Sequence, residues 1–307
     1  MVTTSPGASP TAPGATAKQI HNFTPGSKRW LPVFIVPICV GLALVYVAAA
    51  IGIALSFTSW DLISPAQWLG VGNFTSAFGD PRFWKAMSNT ALLVILTVPA
   101  KIAIGLGLGV AMTRVTRFGT FFRLALFFPT TCHVVSVAFI WMYLYDVDGL
   151  LNQFRAALGW EPVFWMGPDH ALTSIAVMVV WGGVGYIALL YVAGLQTIPQ
   201  EYYDAAEIDG ANAWQRFRYV TFPLLTPTTF FVLIISLIAG FQTFGEVFIL
   251  KGPLDSTLTI MAYIYERAFG GLQMGYAAAL SVFLIVILLS MTAIQLKVQK
   301  KWVNYDI

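Results

Sequence analysis

Long apolar runs, separated by shorter polar segments, dominate the chain. Six of these runs lie at about 31–57, 86–112, 121–145, 172–195, 224–250 and 276–296. Each is long enough to cross a bilayer as a helix, which takes about 20 residues. Because a backbone in lipid must satisfy its own hydrogen bonds, and the alternating pattern of a β-barrel is lacking, the runs predict an all-α membrane protein. Residues 30–307 are therefore predicted to form one domain with six transmembrane helices.

Composition agrees with lipid as the solvent for most of the chain. Of the 307 residues, 58% are hydrophobic and only 10% are charged, whereas a soluble domain carries about 25% charged residues. Residues 1–29 differ, because Ser, Thr, Pro, Ala and Gly predominate there and no packed core can form. We expect this segment to be a disordered cytoplasmic tail.

The positions of Lys and Arg predict the orientation in the membrane. Basic residues are more numerous before the first run, after the sixth run, and between runs two and three and runs four and five. Since the more basic side of a membrane protein is usually cytoplasmic, both termini are predicted to lie inside. The segments 58–85, 146–171 and 251–275 then face outward, and the protein is expected in the cytoplasmic (inner) membrane as a multi-pass protein.

The polar segment 198–223, between the fourth and fifth runs, carries the signals of two short helices. Pro199 is suited to open the first helix, and Gly210 breaks the chain after it. A second helix is predicted over 213–220, ending before Pro223. A cytoplasmic helix pair with small and acidic residues exposed is a poor membrane element but suits a groove on another protein.

This segment resembles the cytoplasmic loop of bacterial ABC importer permeases. Their pattern is Glu-Ala-Ala, three residues, Gly, nine residues, Ile, one residue, Leu-Pro. The chain reads Asp204-Ala205-Ala206, Gly210, Val220 and Phe222-Pro223 at the same spacing, with Asp for Glu, Val for Ile and Phe for Leu. In that family the loop is a coupling helix seated on the ATP-hydrolysing subunit. The resemblance carries this role to Asp204, Ala205, Ala206, Asp209 and Gly210.

Other stretches are similar to the carbohydrate branch of the family, the maltose-type and glycerophosphodiester-type permeases. They include Gly70-Val-Gly-Asn-Phe74, Asp80-Pro-Arg-Phe-Trp84, Tyr263-Ile-Tyr265 and Gly275-Tyr-Ala-Ala-Ala279. The similarity runs from about residue 31 to the end and implies the MetI-like ABC permease fold.

The resemblance implies a permease subunit that moves a sugar across the membrane by alternating access, driven by ATP. The implied partners are a second homologous permease in a heterodimer, two ATP-binding subunits, an extracytoplasmic solute-binding protein and the lipid bilayer. One alternative is the same transporter class carrying a glycerophosphodiester. A less favoured one is an ion-coupled secondary transporter, which would need coupling carboxylates and broken helices in the membrane.

The chain lacks the motifs of an enzyme. No Gly-x4-Gly-Lys-Ser/Thr phosphate loop occurs, so ATP and Mg are expected on the partner subunit, with no cofactor in this chain. Neither cysteine has metal or redox spacing, and the three histidines are scattered, so no metal site and no catalytic residue are predicted. The small net charge gives no indication of nucleic acid.

Polar and aromatic groups inside the runs are the candidates for the substrate path, because ionisable residues in a membrane are costly. Lys101 is expected either in a water-filled cavity or paired with an acid. Glu246 either borders the path or reaches toward headgroups. Trp181 and Tyr186, in the fourth run, either line the pore or pack around small residues. The candidate set is Phe241, Gln242, Phe244, Glu246, Lys101, Trp181 and Tyr186.

Small residues recur in the second run at Ala103, Gly107 and Ala111, with Gly105 and Gly109 beside them. A stripe of this kind predicts close packing of one helix face against a neighbouring helix.

Overall fold

The computed structural model describes residues 31–114 and 119–303. The described residues divide into two units, with the boundary between Ile51 and Gly52. The predicted tail at 1–29 lies outside the described residues. The first described helix, α1, covers Leu31–Leu55 and has 25 residues, enough for one span.

The second unit begins with a short hairpin and two helices. Strands β1 (Thr58–Ser59) and β2 (Gln67–Trp68) pair antiparallel, with Thr58 opposite Trp68. They are followed by α2 (Gly72–Gly79) and α3 (Pro81–Arg114). Helix α3 starts earlier than the predicted residue 86, because Pro81 suits the first helical position and the Asp80 carboxylate accepts from the Arg82 N–H at 2.9 Å.

The remaining elements are helical. They are α4 (Gly119–Thr131), α5 (Val134–Leu144), α6 (Leu150–Ala157), α7 (Ala171–Gln196), α8 (Gln200–Ile208), α9 (Ala213–Arg216), a π-turn at Phe217–Thr221, α10 (Phe222–Leu224), α11 (Thr226–Phe241), α12 (Gly245–Ile249), a 3-10 turn at Pro253–Asp255, α13 (Ile260–Tyr265), a second π-turn at Glu266–Gly270, α14 (Met274–Val298) and a 3-10 turn at Gln299–Lys301. The all-α prediction is confirmed.

Five helical segments of the described chain are long and apolar enough to cross a membrane: α1, α3, α7, α14, and α11 taken together with α12. A bent pair of helices raises the number to six if it forms one span. The bent pair corrects the prediction of a single helix over 121–145. Residues Phe121–Thr131 and Val134–Leu144 meet at an angle of 95°. At the bend His133 is extended, and its Nδ1 accepts from the Val135 N–H at 3.4 Å, so it caps the start of α5.

The fifth run is also interrupted. Helix α11 ends at Phe241, and α12 begins at Gly245 after a short non-helical stretch. The expected single helix over 224–250 is therefore two helices joined by residues 242–244. The start of α12 packs closely on α5, because a Cβ at Gly245 would lie 2.9 Å from Val134 Cγ1.

Helices α3 and α7 form the close contact at the centre of the unit. A Cβ at Gly105 would lie 2.6 Å from Ile187 Cγ2, and one at Gly109 would lie 2.8 Å from Tyr191 Cβ. The prediction of close packing is thus right for these two glycines. It is wrong for the stripe of Ala103, Gly107 and Ala111, which lines an open apolar groove instead.

The helical segment after Gly210 does not end before Pro223 as predicted. It continues through α9 and the π-turn into α10, which ends at Leu224. Pro223 lies in α10, directly after the π-turn at Phe217–Thr221, where the regular α-helical hydrogen-bond pattern is already interrupted.

Candidate translocation path and coupling loop

A cavity of about 390 Å³ lies where the two interrupted runs meet. Helices α3 and α7 form one part of its wall, and the breaks between α4 and α5 and between α11 and α12 form the rest. Its lining residues are Lys101, Pro129, Thr130, Cys132, Val134, Val137, Met178, Val179, Gly182, Gly183, Ala239, Gln242, Thr243, Phe244, Gly245 and Glu246. Non-helical backbone is tolerated at membrane depth where it is buried in protein or lines a water-filled cavity.

Four of the seven path candidates share this cavity, namely Lys101, Gln242, Phe244 and Glu246. Lys101 and Glu246 are half-buried, whereas Gln242 is exposed. Among the described residues, no hydrogen bond occupies the side chain of Lys101, Gln242 or Glu246. Three polar groups are therefore free to bind a solute or water in the cavity.

Lys101 and Glu246 are electrostatic neighbours without a direct ion pair. The Glu246 carboxylate acts on the Lys101 ammonium through its charge, but the ion pairs within 4 Å in the described ranges are all elsewhere. Gly183 leaves room for the ammonium, because a Cβ there would lie 3.0 Å from Lys101 Cε and 3.1 Å from Nζ. The structure thus places Lys101 and Glu246 in the same cavity, with no ion pair within 4 Å between them.

The other three path candidates lie elsewhere. Phe241 is 6% exposed and belongs to the apolar core. Trp181 stacks edge-on against Trp141, with ring centroids 5.8 Å apart, and lines a separate apolar groove of about 500 Å³. Tyr186 is exposed and is not among the residues that line the cavity. The structure does not bring these three together with Lys101.

Phe244 is engaged in an aromatic cluster. Its ring centroid lies 5.2 Å from that of Phe248 and 5.0 Å from that of Tyr265, and Tyr265 contacts Phe269 at 4.9 Å. The cluster fixes one wall of the cavity and connects α12 to α13.

A polar network that sequence reasoning missed joins α3 to distant parts of the chain. Arg82 binds Asp255 at 2.8 Å and Glu266 at 2.6 Å. Asp80 accepts hydrogen bonds from Tyr263 and, at 2.9 Å, from Tyr276. We call these residues, together with Arg267, the outer network, because they lie at the end of the bundle that is predicted to face outward. The only sequence signal was Asp80-Pro-Arg at the start of a span.

Electrostatics of the outer network favour the ionised forms of Asp80 and Asp255. Burial alone would raise the pKa of Asp80, but the hydrogen bonds from Tyr263 and Tyr276 and the charge of Arg267 outweigh burial and lower that pKa. The hydrogen bond from Arg82 likewise lowers the pKa of Asp255 against a smaller effect of burial. The pKa of Tyr263 is raised by burial and by its bond to Asp80.

At the opposite end of the bundle, α8 and α9 project as a helix pair. An ion pair of 3.1 Å between Glu207 and Arg216 joins the two helices. Asn212 forms a capping box with Gln215, which fixes the start of α9. The Tyr203 hydroxyl bonds Thr221 at 3.1 Å, so α8 is anchored to the segment that leads into α11.

The residues assigned to coupling lie on or just after α8. None of the residues of α8 is fully buried. Asp204 and Ala205 are exposed and Ala206 is half-buried, while Asp209 and Gly210 end the helix and are exposed. Gly210 has φ +74°, a conformation that favours glycine, so the predicted break is confirmed. Ile208 and Trp214 are 88% and 69% exposed, which gives the pair an apolar face.

Several membrane-length helices, a polar cavity between interrupted helices and a projecting helix pair define a polytopic membrane protein of the transport class. Residues 102–304 match the family described as binding-protein-dependent transport system inner membrane component. The chain belongs to this family. It is therefore a membrane transport subunit, a permease of the ABC transporter class.

Relatives and solved structures agree with this membership. The chain is 34% identical over 282 residues to the probable ABC transporter permease protein YesP of Bacillus subtilis (strain 168), covering 89% of this chain and 91% of the relative. It is 34% identical over 268 residues to the sulfoquinovosyl glycerol transport system permease protein SmoG of Agrobacterium fabrum, covering 85% and 86%. A crystal structure of a bacterial ABC transporter involved in alginate import shares the fold, with a TM-score of 0.81, 21% identity, and coverage of 91% and 98%.

Proposed function

We propose that this chain is the permease subunit of an ATP-driven importer that moves a sugar inward across the cytoplasmic membrane by alternating access. Relatives named for sugar transport support the substrate class, including the lactose transport system permease protein LacF of Rhizobium radiobacter, 32% identical over 235 residues. A glycerophosphodiester is the alternative cargo within the same class.

The observation that carries the proposal is the projecting pair of α8 and α9. Gln200 Nε2 donates a hydrogen bond to Asp204 Oδ1 at 3.1 Å, within the same helix. Asp204 and the apolar side chain of Ile208 are both exposed. A helix that presents such groups suits the groove of an ATP-binding subunit. The Tyr203–Thr221 bond offers a route by which movement of α8 reaches α11.

The cavity suits a polyhydroxy solute. Lys101, Gln242 and Glu246 supply donors and acceptors, and Phe244 supplies an apolar surface at its edge. Sites of this kind bind sugars through a few placed polar groups within a mostly apolar wall.

The assembly we propose contains a second, homologous permease, two ATP-binding subunits and a solute-binding protein that delivers the sugar to the predicted outer end. A structurally similar alginate ABC transporter has been determined with its periplasmic protein bound to an alginate pentasaccharide, which supports such a partner. ATP and Mg would bind the ATP-binding subunits. Both termini of this chain would then lie in the cytoplasm.

The test is substrate-stimulated ATP hydrolysis and uptake by the complete complex in proteoliposomes. Asp204→Ala should reduce both about tenfold, which corresponds to about 1.4 kcal/mol of lost coupling. Glu201→Ala is the matched control, because Glu201 is an exposed acid in the first turn of the same helix. The Asp204 variant should assemble with its partners at normal levels.

Uptake that continues without ATP, driven by a proton or sodium gradient, would contradict the proposal and favour a secondary transporter. The interrupted helices and the in-span Glu246 are features that such a transporter would also need. Normal activity of the Asp204 variant would contradict the role assigned to α8.

A further inference from the structure

The cavity at the helix breaks contains one positive and one negative side chain among its described lining residues. Lys101 comes from α3 and Glu246 from the first turn of α12. The remaining lining side chains are apolar or neutral. An isolated charge at membrane depth is costly and normally has a partner or water beside it.

The two opposite charges share one cavity without forming a direct ion pair. A direct ion pair would fill the space between the groups, but none forms within 4 Å in the described part of the chain. Gly183 holds the ammonium position open on the side of α7, and Gly245 brings the start of α12 against α5. Both side chains therefore remain available to bind a solute. The electric field of each charge is offset by that of the opposite charge in the same cavity.

Resting on the proposed sugar transport, we infer that Lys101 and Glu246 are specificity-determining residues that make this chain's share of the path electrically neutral and suited to an uncharged polyhydroxy solute. An anionic sugar would gain from Lys101 but be repelled by Glu246. An uncharged sugar can accept a hydrogen bond from the ammonium and donate one to the carboxylate, so it uses both groups.

A cysteine in the cavity wall allows the charge to be measured directly. Cys132 lines the cavity and is half-buried, and the other cysteine, Cys39, lies on α1. Methanethiosulfonate reagents with a cationic trimethylammonium, an anionic sulfonate or a neutral hydroxyethyl group are small solutes that modify a thiol once they reach it. The rate at Cys132 can be followed by mass spectrometry in the intact complex.

In the unaltered chain we expect the anionic and cationic reagents to react at relative rates close to those with a free thiol in solution. Glu246→Gln should shift the ratio toward the anionic reagent, and Lys101→Met should shift it toward the cationic one. Each shift should be roughly tenfold, the size expected for a unit charge acting on reagents of opposite sign in a partly hydrated site. The double variant should restore the original ratio.

Glu161→Gln is the matched control, because Glu161 is an exposed acid outside the cavity. Three results would overturn the inference: a strong preference for the anionic reagent before any substitution, no shift in the Glu246 variant, or no reaction of Cys132 with any reagent. None of them bears on ATP coupling, so failure here is distinguishable from failure of the proposed transport function.

Discussion

Single residues in the cavity show where prediction from the sequence succeeds and where it stops. Lys101 and Glu246 could be singled out because charges in apolar runs are rare and costly. Their meeting in one cavity could not, because it depends on the bend at His133 and on the break after Phe241. Pro129 precedes the bend, and Gly240 and Gly245 flank the break. Gly and Pro are frequent in membrane helices, so these residues do not by themselves predict where a span is interrupted. Trp181 was singled out by its type alone, and in the folded chain it faces another groove.

Gly183→Ala tests the placement of the Lys101 ammonium. The added methyl would meet the flexible end of Lys101 at 3.0–3.1 Å, so the side chain must move although the helix can stay in place. We expect uptake to fall about three- to tenfold with little change in the amount of folded protein, because a small displacement of a binding group costs about 1 kcal/mol.

The control is Gly182→Ala, since a Cβ at Gly182 meets nothing within 4 Å. Equal loss of uptake in both variants, measured in the same proteoliposome assay, would show that Lys101 is not the group affected.

At the scale of helices, a small residue allows close packing only if it lies on the helix face that meets a neighbouring helix. Gly105 and Gly109 contact α7, whereas the more regular stripe of Ala103, Gly107 and Ala111 is open. The spacing of small residues predicts that a smooth face exists, but which face meets the neighbour is decided by the tertiary arrangement. The break at Gly210 was predictable because its signal is local.

Gly185→Ala should disrupt the contact between α7 and α4. A Cβ at Gly185 would lie 1.7 Å from the Leu126 carbonyl oxygen, so one backbone must move. We expect a destabilisation of about 3 kcal/mol, at the upper end for overpacking. It should appear as a lower unfolding temperature of the purified complex in detergent.

Gly107→Ala provides the comparison on the neighbouring helix, because a Cβ at Gly107 meets nothing within 4 Å. An unchanged unfolding temperature for the Gly185 variant would mean that α4 and α7 are farther apart than described.

Gly210→Ala should impair the helix pair locally. At φ +74° an alanine is strained by about 1 kcal/mol, whereas asparagine adopts this conformation more readily. We therefore expect Gly210→Ala to lower substrate-stimulated ATP hydrolysis severalfold and Gly210→Asn to retain most of it. The reverse order would contradict a role for the left-handed turn.

Across the whole molecule, the outer network connects residues far apart in the chain. Arg82 and Asp255 are 173 positions apart, and Arg82 and Glu266 are 184 apart. A single sequence carries no sign of such pairings, although the membrane class, the approximate spans and the helix pair after the fourth run could all be predicted from local pattern. Long-range polar contacts were for this reason missed, in addition to the two interrupted spans.

The network should make stability depend on acid pH. The pKa values of Asp80 and Asp255 are lowered in the folded protein, so their contribution is fully present above the unfolded pKa near 3.9 and is lost as pH falls through the folded values. Between about pH 5 and 8 we expect Asp80→Asn to lower the unfolding temperature by a constant amount.

Below about pH 4 the difference between the unaltered chain and the Asp80 variant should shrink. Asp169→Asn is the control, because Asp169 is an exposed acid outside the network. A difference that grows in acid would contradict the direction assigned to Asp80.

The separation of Arg82 from its two acids also has a consequence for how the protein is made. A ribosome needs on the order of ten seconds or more to add the intervening residues. During that interval the arginine at the start of α3 has neither acid available. A nascent chain that stopped before Asp255 would leave this arginine without either acid, so complete pairing at Arg82 marks a polypeptide whose synthesis has passed Glu266.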